Sequence, residues 1–219
     1  DPEKGQGDVD ARSDGYKGRG GGGLRELELD ENTLVIFTSD NGPHNESNHN
    51  LARFQPSGPL TGIKRSLTDG GIRVPGIAWW PGTIEPGRET DHAAYFGDWM
   101  ATAADLAGTK APADCDSISF VPTLRGDESN QPRHEFLYWE FHERGFKQAA
   151  LYQGRYKGIR SGSPDAPIVL YDLQNDIGEK TNVAAKHPEI AAKIEQYLST
   201  ARTPNDNWKP VWSSSRSSK

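Results

Sequence analysis

The segment from Thr33 to Thr38 constrains the fold of this chain more than any other stretch. Its centre, Leu34–Phe37, is the longest clean apolar run and shows no alternation of polar and apolar residues. A short run of this kind is typical of a strand in a parallel sheet that is covered on both faces. A second apolar run, Ile77–Trp80, stops at a Pro-Gly pair and predicts another short strand. We therefore expect an α/β fold in this part of the chain.

Composition excludes several classes of protein. The 219 residues are 33% hydrophobic and carry a formal net charge of −6. No run approaches the ~20 apolar residues of a membrane-spanning helix, so we expect no membrane partner. The acidic balance argues against a protein that tracks nucleic-acid phosphates. Cys115 is the only cysteine, so no disulfide can form within the chain.

The character of the sequence divides the chain into four parts. Residues 1–23 are rich in glycine and almost free of apolar side chains, which predicts a flexible segment. Residues 24–132 contain the two apolar strands and form the α/β part. Residues 133–204 predict a small α+β subdomain, in which an antiparallel sheet is followed by a closing helix. Residues 205–219 predict an irregular tail.

Local signals place the main elements of these parts. Residues Asp98–Ala107 predict a helix with Asp98 as its N-cap. A Gln153-Gly154 pair between two apolar runs predicts a β-hairpin. Pro188 suits the first position of a helix, and the apolar residues after it recur with helical spacing, so that this helix should pack on the sheet.

Polar residues follow directly on the Thr33–Thr38 strand, where α/β proteins collect their ligands. Asp40 supplies a carboxylate and Asn41 an amide oxygen, and both are donors that Ca²⁺ or Mg²⁺ prefers. An Asn-Gly turn, with Asp40 bonded to the backbone, explains the same residues and is the commoner outcome for such a sequence. Two ligands also fall short of the ~6–8 oxygens of a calcium site.

Lys64 lies in a second glycine-rich segment that leads to Asp69-Gly70-Gly71. Glycines let the backbone bend toward a ligand, and an ammonium group there can hold an anionic oxygen. The segment is not a Walker A loop, because no Lys-Ser or Lys-Thr pair follows Gly62 directly. A solvated surface lysine is the default interpretation.

Taken together, three motifs resemble the second half of a type I sulfatase, of the bacterial arylsulfatase-like branch within the alkaline-phosphatase-like superfamily. They occur in the family's order. The motifs are Ser39–His44, Gly58-Pro59-Leu60-x-Gly62-x-Lys64 and Asp69–Pro75. The resemblance implies a partial alkaline-phosphatase/sulfatase-like sheet in residues 24–132, followed by the small α+β subdomain. It also implies a sulfuric ester hydrolase that acts on a sulfated small molecule or glycan in the periplasm or outside the cell.

The resemblance also assigns roles to individual residues. Asp40 and Asn41 correspond to ligands of the family's Ca²⁺ site, and Lys64 corresponds to the lysine that grips the sulfate group. His44 either faces the substrate or hydrogen-bonds its own loop. His142 either borders the substrate pocket or packs at the edge of the core, as its aromatic neighbours favour.

The family's nucleophile is formylglycine, made within a C/S-x-P/A-S/A-x-R motif, and no such motif occurs in these residues. Cys115 has a different context and is expected to be an ordinary thiol. We therefore expect a sulfatase fragment with negligible turnover by itself, and no signal peptide in the sequence given. Two other functions stay open, namely a phosphodiesterase or phosphonate-hydrolase relative and a non-catalytic remnant that binds sulfate or sugar.

Overall fold

A computed structural model describes residues 21–46, 50–143 and 145–207. The helices are α1 (residues 21–26), α2 (Leu51–Phe54), α3 (Asp69–Ile72), α4 (Asp98–Leu106), α5 (Val121–Arg125) and α6 (Pro188–Thr200). The strands are β1 (Val35–Thr38), β2 (Gly76–Trp79), β3 (Phe136–Glu140), β4 (Phe146–Tyr152), β5 (Tyr156–Gly162) and β6 (Val169–Asp172). Single 3₁₀ turns occur at Asp30–Asn32 and Glu128–Asn130. No helix in the described ranges is long and apolar enough to cross a membrane.

The chain forms two compact units. Of the described residues, the first unit contains those up to Asp40, together with those within Asn45–Phe54 and Val74–Arg133. The second unit contains Asn41–His44, Gln55–Arg73 and the described residues from His134 onward. The boundaries expected from sequence, at residues 23, 132 and 204, stay predictions. Most of the two predicted terminal segments, namely residues 1–20 and 208–219, lies outside the described residues. Residues 21–23 are described and form the start of α1.

The first unit contains both predicted apolar strands, and their pairing differs from the expectation. β1 and β2 form a two-stranded antiparallel sheet, with Val35 opposite Trp79 and Thr38 opposite Gly76. All four residues of β1 are half-buried. The prediction of a parallel neighbour was wrong within the described residues, because an apolar run reports how far both faces are covered and not the direction of its partner.

The predicted helix after Asp98 is confirmed, but the role of Asp98 is different. Asp98 is the first residue of α4, and Gly97 occupies the N-cap position. The Asp98 carboxylate accepts hydrogen bonds from the backbone N–H groups of Tyr95 at 3.1 Å and Ile118 at 2.9 Å. The side chain therefore ties the start of α4 to a distant part of the first unit, which explains its complete burial.

The second unit is built on a four-stranded antiparallel sheet of order β3-β4-β5-β6. The predicted hairpin is confirmed, with Tyr152 opposite Tyr156. Its connection includes Gln153 at φ +50° and Gly154 at φ +68°, which are left-handed conformations typical of tight hairpin turns. The antiparallel sheet plus closing helix expected for this region is therefore present.

Helix α6 covers one face of this sheet. It begins at Pro188 as predicted and buries Ile194 and Leu198 completely or nearly so, against a core that includes Leu170. The rings of Phe136 and Tyr197 stack with centroids 4.2 Å apart. Successive side chains on a strand point to opposite faces. The side chains of β4 and β5 that do not face α6 therefore point toward the loop segment 55–73.

Candidate functional site

Two motif segments of the second unit meet through their backbones. The Lys64 N–H donates to the Pro43 carbonyl oxygen at 2.8 Å, and the Gly42 N–H donates to the Gly71 carbonyl oxygen at 2.9 Å. A Cβ atom at Gly42 would overlap the carbonyl oxygen of Gly70. The close approach of the two backbones therefore requires glycine at position 42.

The loop that carries Lys64 closes on itself. At its base the Gly70 N–H donates to the Thr61 carbonyl oxygen at 2.8 Å. Gly62 adopts φ +94°, and a Cβ atom there would overlap the hydroxyl groups of Ser66 and Thr68. Residues 61–71, which we name the lysine loop, thus have a defined conformation with both ends adjacent.

The turn at residues 178–180 contacts both ends of the lysine loop. The Thr61 hydroxyl donates to the Gly178 carbonyl oxygen at 2.5 Å and accepts a hydrogen bond from Lys180 Nζ at 2.7 Å. At the other end, the Asp69 N–H donates to Glu179 Oε2 at 2.6 Å. Three consecutive residues, Gly178 to Lys180, therefore contact the loop at its first and ninth residues.

Glu179 of this turn belongs to a buried cluster of charged side chains. Lys157 Nζ of β5 is 2.5 Å from Asp69 Oδ1 and 3.0 Å from Glu179 Oε1. The Lys157 side chain is 1% exposed and that of Glu179 is fully buried. Burial raises the pKa of Glu179, while Lys157 and the Asp69 N–H act in the opposite direction. Arg73, 3.5 Å from Asp69 Oδ2, brings a second positive charge from a more exposed position.

Arg65, the residue after Lys64, is held through its side chain and through its carbonyl oxygen. Arg65 adopts φ +78°, a left-handed conformation that costs a non-glycine residue about 1 kcal/mol. Its Nε contacts Glu143 Oε2 at 2.7 Å, and its carbonyl oxygen accepts a hydrogen bond from Lys147 Nζ at 3.2 Å. Such a conformation persists where the surroundings determine it, which fixes the peptide next to Lys64.

The residues predicted from sequence to form the site fall in two places. Asn41, His44 and Lys64 all belong to the second unit and are half-buried. Asp40 ends the segment after β1, belongs to the first unit and is exposed. Among the described residues, no group of three His, Cys, Asp or Glu side chains has the arrangement of a metal site. Cys115 is an exposed free cysteine.

His142 lies in a polar network at the end of β3. Its Nδ1 accepts a hydrogen bond from the Lys147 N–H at 3.3 Å, and its Nε2 is 3.2 Å from Glu140 Oε2. This pattern fits the neutral ring with the proton on Nε2. Burial lowers the pKa of His142. Glu140 also accepts a hydrogen bond from Tyr138, and burial raises the pKa of that phenol. A substrate role for His142 stays a prediction.

Sequence reasoning did not assign a site role to Lys157 or Glu179. One signal for Lys157 was available in the sequence. Lys157 follows the predicted hairpin turn and lies two residues before the apolar Ile159, so that both side chains are expected on the same face of the strand. A lysine on an inward face requires a buried partner, but the sequence does not say which carboxylate supplies it.

Comparison with known proteins now defines the class. The family model described as Sulfatase matches residues 22–109, which include Asp40, Asn41 and Lys64. The N-acetylgalactosamine-6-O-sulfatase of Bacteroides thetaiotaomicron is 30% identical over 203 residues, in an alignment that covers 82% of this chain and 38% of that protein. Arylsulfatase A of Homo sapiens is 32% identical over 198 residues, covering 79% of this chain and 38% of that protein. These matches support a fragment of the sulfatase family.

A solved structure gives the same result for the fold. Ps i-CgsB, in complex with k-i-k-neocarrahexaose, superimposes with a TM-score of 0.71 at 26% identity. The match covers 88% of this chain and 41% of that one. The present chain thus spans about two fifths of the length of the relatives it matches.

Proposed function

We propose that this chain carries sulfate- and metal-binding residues of an enzyme that hydrolyses sulfate esters. The observation that carries the proposal is the hydrogen bond from the Lys64 N–H to Pro43, two residues beyond Asn41. It joins two sulfatase-like motifs within one packed unit. In this proposal Lys64 binds a sulfate oxygen through its ammonium group, a charge-assisted contact that is stronger than one between neutral groups.

Asp40 and Asn41 are the proposed ligands of a Ca²⁺ ion. A carboxylate and an amide oxygen on consecutive residues fit the donor chemistry of Ca²⁺, although two side chains supply only part of its coordination. When bound, the ion would neutralise charge on the sulfuryl oxygens as a Lewis acid. Asp40 and Asn41 would hold the ion, and Lys64 and His44 would orient the sulfated group.

The substrate class in this proposal is a sulfated glycan, and the location is the periplasm or the exterior of the cell. Support for the substrate comes from a relative named for N-acetylgalactosamine-6-O-sulfate and from a neighbour solved with a neocarrahexaose. Support for the location is the family resemblance alone.

The test is calorimetric titration of the 219-residue chain with sodium sulfate in the presence of Ca²⁺. Replacing Lys64→Ala should weaken sulfate binding about tenfold or more, because a charged hydrogen bond contributes ~1.5–3 kcal/mol. Lys186→Ala, which removes an exposed lysine of the same unit, is the matched control and should have no effect. Equal binding by both variants would contradict the role of Lys64.

A non-catalytic sulfate-binding protein is the second candidate, because residues that bind a sulfate group, such as Lys64 and His44, need not belong to a catalytic site. Both candidates predict that the 219-residue chain does not hydrolyse an aryl sulfate. The two candidates differ in what happens when a segment with the formylglycine motif is added to the chain. The longer protein should hydrolyse the aryl sulfate only if the residues of this chain are competent for catalysis.

A further inference from the structure

The lysine loop is anchored at both of its ends. Thr61 contacts Gly178 and Lys180, whereas Asp69 contacts Glu179 and Lys157. Between these points, the Lys64 N–H donates a hydrogen bond to Pro43 of the 41–44 segment. The position of Lys64 therefore also depends on contacts made by residues three to five places away.

We infer that Lys157, Asp69 and Glu179 form a clamp that positions Lys64 for the sulfate group. These three are positioning residues, and the inference rests on the proposed function of Lys64. Lys157 fixes the Asp69 side chain while Glu179 fixes the Asp69 backbone N–H. Asp69 is thereby held at two atoms, which fixes the position and orientation of one end of the lysine loop.

The chemistry of the clamp favours positioning over simple stabilisation. Burying a lysine and two carboxylates removes three charges from water, and apolar residues of similar volume often give equal or greater stability. Apolar contacts, however, are non-directional, whereas the bonds to Asp69 Oδ1 and to its N–H each fix an orientation. The cluster supplies direction that an apolar core would not supply.

The backbone of Arg65 provides an independent observation. Its left-handed φ of +78° lies between the two anchored ends and next to Lys64. A loop that was free to relax would leave this conformation. The clamp, together with the contacts of Arg65 to Glu143 and Lys147, maintains it.

The experiment is amide hydrogen exchange by NMR on the full 219-residue chain, with Asp69→Asn and Glu179→Gln as nearly isosteric variants. We expect the Lys64 and Gly70 amides to exchange at least about tenfold faster, because the loop opens locally. The amides of Ala150 and Ile159 in the sheet should change by less than about threefold. Asp69→Glu, which keeps the carboxylate, should largely preserve slow exchange in the loop.

Two controls separate positioning from overall stability. Asp172→Asn removes the partner of Arg155, 2.7 Å away in the same unit, and should leave exchange in the lysine loop unchanged. If a clamp variant cannot be purified folded, the other variant decides the result. Equal acceleration of loop and sheet amides in the clamp variants, or no acceleration in the loop, would overturn the inference.

The same samples are titrated with sodium sulfate. Clamp variants should lose at least about fivefold in affinity while Asp172→Asn keeps it, since a displaced lysine makes a poorer charged contact. If the unsubstituted chain binds no sulfate, the proposed function fails, and the exchange result still decides whether the clamp positions the loop. Unchanged affinity in variants with an open loop would overturn the link between the clamp and sulfate.

Discussion

Replacement of Lys157 by methionine tests the electrostatics of the second unit most directly. The change keeps the side chain as far as the ε position but removes the ammonium group that lies 2.5 Å from Asp69 and 3.0 Å from Glu179. Removing one partner of a buried ion pair costs ~3–5 kcal/mol, because the remaining charge is left without compensation. We expect a loss of about 3 kcal/mol at pH 8, toward the lower end because Arg73 still faces Asp69.

The sign of the pH dependence gives a second check on the same variant. Burial already raises the pKa of Glu179 above its ordinary value of 4.5, and loss of Lys157 removes the main opposing influence. A carboxyl with a raised pKa in the folded state binds its proton more tightly there than in the unfolded chain. The variant should therefore regain stability as the pH falls from 8 toward 5.

Urea unfolding followed by circular dichroism at pH 8 and pH 5 measures both effects. The variant Lys157→Met/Glu179→Gln is the matched comparison, since it removes one carboxylate with the ammonium. It should be more stable than Lys157→Met at pH 8 and should show a smaller pH dependence. A loss below about 1 kcal/mol for Lys157→Met, or a loss that does not change with pH, would refute the reasoning, because exposed ion pairs contribute that little.

Two further predictions concern the packing and the polar network. Gly42→Ala places a Cβ atom against the Gly70 carbonyl oxygen, so we expect a loss of ~1–3 kcal/mol in urea unfolding, whereas Gly76→Ala, with open space around its Cβ, should be nearly neutral. Equal effects of the two would contradict the close approach. For His142, whose pKa burial lowers from 6.5, the unfolded chain binds more protons just below that pH. The free energy of unfolding should therefore fall below pH 6.5 by at most about 1.4 kcal/mol per pH unit, and His142→Phe should remove this slope in urea titrations at several pH values. A slope that His142→Phe leaves unchanged would assign the pH dependence to other groups.

Local sequence signals determined much of the second unit. The Gln153-Gly154 pair predicted the hairpin because few residues tolerate the left-handed conformation that the turn adopts. Pro188 and the spacing of Ile194 and Leu198 predicted α6 because a proline suits its first turn and one apolar face is buried. The direction of β1 relative to β2 was not predictable in this way, since strand pairing depends on residues far apart in sequence.

The candidate site shows the same division between local and long-range information. The glycines around Lys64 predicted a bent backbone, and the structure contains one, with Gly62 at φ +94°. Lys157 went unassigned because its partner Asp69 lies 88 positions away. The metal-ligand roles of Asp40 and Asn41 stay predictions, because residue types alone indicate a donor set and not its geometry.

The Asp69-Gly70-Gly71 sequence illustrates why a motif need not contain the reacting groups. A Cβ atom at Gly70 would overlap the carbonyl oxygens of Thr61 and Gly62 at the start of the lysine loop. A Cβ atom at Gly71 would overlap the carbonyl oxygen of Ser66. Asp69 directs its carboxylate to Lys157 and its N–H to Glu179. The contacts of the motif with Gly42, Lys157 and Glu179 therefore act on the position of the loop. A substitution in it should change the affinity for sulfate through the geometry of Lys64, and should do so without altering any group that the proposal assigns to the sulfate itself.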